Sequence, residues 1–114
     1  MYSSKSTDYQ SATITNNGFW PDIAAGEFEE VRAIPPRVSH ESVRDALLTA
    51  VSNINNRLSE LQHRWQLLGY ERAGDVPAPH VVTFAQGSTD TRQEATTGRN
   101  AVEALYIKAV YAQA

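Results

Sequence analysis

A single apolar stripe constrains this chain more than any other feature. Val43, Leu47, Val51, Ile54, Leu58, Leu61, Trp65 and Leu68 follow one another at intervals of 4, 4, 3, 4, 3, 4 and 3 residues. That rhythm keeps one face of an α-helix continuously apolar, and from Leu47 onward it reads as a heptad seam. Ala46 and Ala50 widen the stripe near its start. Ser39 is placed to cap the first turn, and Glu41 favours the positive end of the helix dipole. Gly69 stands just past the last periodic residue, where a C′ glycine ends a helix. The spacing thus predicts one helix over about residues 39–68, roughly 45 Å long. A helix that long is unusual in a chain of 114 residues, and its seam needs a cover.

Two flanking segments can supply that cover. Asp22 could cap a short helix running to Val31 or Arg32, with Phe28 and Val31 on its apolar face. Gly26 inside it costs roughly 1 kcal/mol relative to alanine. Pro35-Pro36 ends that helix and stiffens the connector. Ala101–Ala114 is a third helix candidate, with Val102, Leu105, Ala109 and Ala112 on one face and Tyr106 and Val110 beside it. The expected fold is therefore all-α: a small helical bundle around one long amphipathic helix. Leu47, Val51, Ile54, Leu58, Leu61 and Trp65 should form its core against the two shorter helices. Met1–Asn17 is rich in Ser, Thr and Asn and reads as a flexible arm, leaving residues 18–114 as the domain. His80–Phe84 suits a short extended segment, and Gln86–Asn100 reads as loop or frayed helix. The last helix stops in mid-pattern at Ala114, which reads as a truncated C-terminus.

Composition narrows the function classes. The chain lacks cysteine, which excludes disulfides, thiol catalysis and cysteine-ligated zinc. Its formal charge of −3 argues against tight, non-specific gripping of DNA. No apolar run approaches the roughly 20 residues that cross a bilayer. His63 falls off the seam and reads as a surface histidine. Ser39-His40-Glu41 holds the residue types of a catalytic relay, but neighbours on a helix diverge by about 100° and cannot form one. No phosphate loop and no metal-ligand spacing is present. The chain is expected to need no cofactor and to catalyse nothing.

What remains is a set of candidate contact residues. Phe19 and Trp20 either cover one end of the long helix or anchor a neighbouring protein, and Asp22 lies beside them. Glu27, Glu29 and Glu30 form the acidic cluster of the chain. It reads as an exposed helix face, or as a patch for a basic partner. Arg57 and Arg64, one heptad apart, suit an exposed flank or an inter-subunit contact.

The order of short motifs is more telling than any one of them. Gly18-Phe19-Trp20-Pro21-Asp22-Ile23 precedes the proline connector and the long helix. Gly69-Tyr70 and Asp75-Val76-Pro77-Ala78 follow it, and Lys108-Ala109-Val110-Tyr111-Ala112 comes near the end. This order resembles the head-completion proteins of contractile-tailed phages, the gpL-type family. The resemblance implies a structural virion protein made in the bacterial host cytoplasm. It implies docking beneath the portal protein after DNA packaging, closure of the head, and a surface for tail-completion or neck proteins. It also implies a ring of neighbouring copies, twelve to match the portal, with at most indirect contact with packaged DNA and no membrane. The competing reading is a dimerising coiled coil outside any virion.

Overall fold

The computed structural model describes residues 9–84 and 95–114. Among these residues nine elements follow in order: β1 (Thr13–Ile14), β2 (Ile23–Ala24), α1 (Ala25–Val31), α2 (His40–Arg57), α3 (Ser59–Leu67), a 3-10 turn (Ala73–Asp75), β3 (His80–Phe84), β4 (Ala95–Asn100) and α4 (Ala101–Gln113). The fold is mixed, not all-α, because two antiparallel two-stranded sheets accompany the helices. In β1–β2, Ile14 faces Ile23 across the ladder and both side chains are buried. The helix-period reading missed this pair because two residues per strand carry almost no periodic signal.

The long helix is two helices. Ser39 caps α2 by accepting the Ser42 N–H, and Gly69 ends α3 at φ 100°. Between them the helix breaks at Leu58, which sits at φ −99° and ψ 6°. Ser59 Oγ donates to the Asn56 carbonyl at 3.1 Å, a local bond of the kind that competes with the helical ladder. The break tracks burial. Leu47, Val51 and Ile54 lie in the core, whereas Leu58 and Trp65 are only half-buried against it. Leu61 is half-buried too, and Leu68 is 71% exposed. Along α2 the seam is covered by α4 and α1, whereas along α3 it is only partly buried.

α4 presents a different face from the one its pattern suggested. Tyr106, Ile107, Val110 and Tyr111 are buried, and Leu105 is 66% exposed. The residues taken as flanking are the core, because Trp20 stacks on Tyr106 and Phe28 meets Tyr111 edge-on. The start of α4 is held by Asn100. Its side chain accepts the Glu103 N–H at 2.8 Å and donates to the Ala73 and Val76 carbonyls. One buried asparagine thus joins α4 to the loop after α3. β4, expected as loop or frayed helix, pairs with β3 and runs directly into that cap.

α1 starts at Ala25, not at Asp22. Residues 23–24 stay extended to pair with β1, so the Asp22 carboxylate instead accepts the Asn16 N–H at 2.8 Å. At the other end, Ala33 adopts φ 52° while its N–H reaches the Glu30 carbonyl and the Ile34 N–H reaches that of Glu29. This is a C′ position where glycine is the usual occupant.

Candidate functional site

The residues marked from sequence as contact candidates divide sharply by location. Phe19 and Trp20 are 3% and 4% exposed. They form an aromatic cluster with Trp65 and Tyr106: Phe19 and Trp65 centroids lie 6.2 Å apart, and Trp20 and Tyr106 are stacked at 4.9 Å. The Trp20 indole N–H has no hydrogen-bond partner among the described residues, so packing alone holds the ring. These two side chains hold the Gly18 loop to the seam and are not available at the surface.

The three glutamates do not form one patch. Only Glu30 is exposed. Glu27 takes the Arg99 guanidinium at 2.8 Å and the Tyr111 hydroxyl at 2.8 Å. The Arg99 hydrogen bond holds the Glu27 carboxyl below its ordinary range against the opposing effect of burial. Burial and the Glu27 carboxylate together keep the Tyr111 hydroxyl protonated far above its ordinary range. This group ties β4 and α4 to α1.

Glu29 is 3% exposed, and its carboxylate is the centre of a clasp. The Gln10 backbone N–H donates to Oε1 and the Gln10 Nε2 to Oε2, both at 2.9 Å. His40 Nδ1 lies 2.7 Å from Oε2. Arg44 donates to the Gln10 Oε1 at 3.0 Å. Burial pushes the Glu29 carboxyl up, but the hydrogen bonds from Gln10 and His40 outweigh it and the net shift is downward. The clasp joins residue 10 to α1 and α2. A second polar group repeats the device toward the other end of α2. Asn16 donates to the Tyr106 hydroxyl, that hydroxyl donates to Asn55, and Asn55 donates back to Asn16. Residues 9–17, which composition assigned to the arm, are thus paired and hydrogen-bonded to the body. Residues 1–8 of that arm lie outside the described residues.

Neither clasp was visible as a motif, because its members lie far apart in sequence. Arg57 and Arg64 are exposed, as an outward flank of α2 and α3 requires. Leu48, Leu67, Leu68, Val81 and Leu105 add exposed apolar positions on several elements. A cavity of about 220 Å³ opens between Tyr9, Ile34, Pro35, Pro36 and Val38, with Glu29 and His40 in its wall. Among the described residues, no three His, Asp or Glu side chains converge on a metal-sized site. No helix among them is long and apolar enough to cross a membrane.

A model of the phage head completion protein (GPL) family matches residues 14–114. The chain belongs to this family. It is also similar to a probable head completion/stabilization protein of Haemophilus phage HP1 (strain HP1c1), with 30% identity over 114 residues. That alignment covers 100% of this chain and 66% of the relative, so the chain spans about two-thirds of the relative's length. No solved structure matches the chain. The family match begins at Ile14, the second residue of β1, and so takes in every later strand and every helix described above.

Proposed function

We propose that this chain is a structural component of a phage virion that completes the head. The match of residues 14–114 to the head completion family carries the reading. In this role the protein docks beneath the portal ring after DNA packaging, closes the head, and offers the surface to which tail-completion or neck proteins attach. Copies pack side by side in a ring matched to the portal. The clasps and the aromatic cluster support a scaffold role, because they tie the N-terminal segment, α1, α2, α3 and α4 into one body. A dimerising coiled coil fits less well, because the best part of the seam is already buried against α4 within one chain.

Arg57 and Arg64 form the flank proposed to meet a neighbour or the portal. Glu27 and Glu29 are already engaged, so of the three glutamates only Glu30 remains to answer those arginines in a neighbouring copy. The test is addition of the purified chain to portal-containing heads filled with DNA, read by cryo-EM and by tail joining. Density beneath the portal and a gain in tail-competent heads are expected. Heads that retain DNA and join tails equally well without the chain would remove the reading.

A further inference from the structure

α3 is the one described helix in which no residue is buried. A helix of nine residues is marginal in water unless something packs on it. This chain gives α3 partial cover on one side. Trp65 meets Phe19 at a centroid distance of 6.2 Å, and Asn17 donates to Gln62 at 3.0 Å. The end of the helix has less. Leu67 and Leu68 are 73% and 71% exposed, the two most exposed large apolar side chains among the described residues.

Pattern and cover disagree here. The apolar rhythm of the seam runs on through Leu61, Trp65 and Leu68, yet the fold half-buries the first two and leaves the third outside. Where a sequence keeps a pattern that its own fold does not use, function is the expected user.

Charge indicates what kind of surface completes the cover. Leu67 and Leu68 follow Arg64 by three and four residues, so the three side chains are neighbours on one face. Arg57 lies one heptad before Arg64. Both guanidiniums are exposed, and neither pairs with a carboxylate among the described residues, whereas Arg72 and Arg99 do. One exposed carboxylate, Glu60, shares this stretch, so two positive charges stand against one negative. DNA phosphates would answer the arginines but give the leucines no apolar seat. A second copy docked face to face brings the same two arginines to the contact, where like charges repel. An acidic protein surface around an apolar groove fits both the charges and the leucines. We propose that the end of α3 docks into such a groove, with Leu67 and Leu68 as anchors and Arg57 and Arg64 against its acidic rim. The inference deepens the head-completion reading and rests on it for where the groove lies, on the filled head.

The test uses full-length Arg57→Lys and Arg64→Lys chains with DNA-filled, portal-containing heads. The introduced amine keeps the charge and can be coupled by carbodiimide, without a spacer, to a carboxylate in contact with it. Peptide mass spectrometry should find position 57 or 64 joined to Asp or Glu of a head protein. Wild type, whose lysines are Lys5 and Lys108, sets the background. Leu67→Ser with Leu68→Ser should weaken docking by about tenfold or more. Its melting temperature should hold within a few degrees, because both positions are exposed. If the pair does lower the melt, Leu67→Ser alone supplies the comparison. Docking unchanged in the leucine variants overturns the inference and leaves the head-completion reading standing. Coupling confined to second copies overturns it too, as does docking that nuclease abolishes with no coupling to a head protein. Wild type that never adds to the heads removes both readings.

Discussion

Gly26 shows how a single residue can reverse its sequence-based expectation. Inside α1, helix propensity favours alanine by about 1 kcal/mol. However, a Cβ there would lie 2.1 Å from the Gln10 carbonyl oxygen, which is backbone and cannot swing aside. Gly26→Ala should therefore destabilise, by about 1–3 kcal/mol as overpacking does, in a urea titration. An unchanged or raised midpoint would contradict the close approach. Glu29 makes the complementary case. Its folded carboxyl is depressed below the ordinary value of 4.5. The clasp thus contributes stability fully above that value, and loses it as pH falls through the folded one. Glu29→Gln should cost about 1–3 kcal/mol near neutral pH. The gap to wild type should shrink on acidification, in melts run from neutral pH to below the ordinary carboxylate range. A constant gap at every pH would mean that the charge is not what holds Gln10.

At the scale of elements, the segment before the Gly18 loop behaves as part of the fold. β1 pairs with β2, and the Ala25 N–H donates to the Ala12 carbonyl at 2.9 Å. The Ala25 amide should therefore exchange slowly, with protection approaching that of α2, in hydrogen-exchange NMR. Limited proteolysis should spare the chain between Gln10 and Gly18. Rapid cutting there, with α2 intact, would show the clasps to be weak. Ala33, at the end of α1, points the other way. Alanine at φ 52° is strained, and Ala33→Gly removes that strain while loosening the unfolded chain. A net gain of roughly 0.5–1 kcal/mol in thermal or urea unfolding is the expected balance.

For the whole molecule, α2 against α4 is the contact on which the rest is built. Leu47 and Val110 are each 0% exposed. Leu47→Ala should cost about 2–5 kcal/mol, a large share of what so small a domain possesses. Docking is expected to respond differently. Arg57→Glu with Arg64→Glu alters only exposed positions, so the melting temperature should hold within a few degrees. Addition to portal heads should fall, and added salt should weaken wild-type docking in the same direction, since exposed ion pairs are individually small and screened. Equal docking by the double variant, measured by sedimentation of the complexes, would remove that flank from the interface.

Local rules read from the sequence reached far into this fold. The Ser39 cap, the Gly69 stop, the proline connector, the apolar helical rhythm of the seam and the existence of a C-terminal helix all depend on neighbours within a few residues. The order of the motifs also carried the family, which the match over residues 14–114 shows. Tertiary structure decided what local pattern could not. The break at Leu58 falls where the covering helix runs out, so a seam periodic to Leu68 is buried only to Ile54 and shared thereafter. The face of α4 was set by Trp20 and Phe28 arriving from elsewhere in the chain, which turned Tyr106 and Tyr111 inward and left Leu105 outside. The glutamates looked alike in sequence and separated in space, because Gln10, His40, Arg99 and Tyr111 come from four different segments. Hydrogen-bond partners that distant leave no spacing to read, since only the closed fold brings them within 3 Å of a carboxylate.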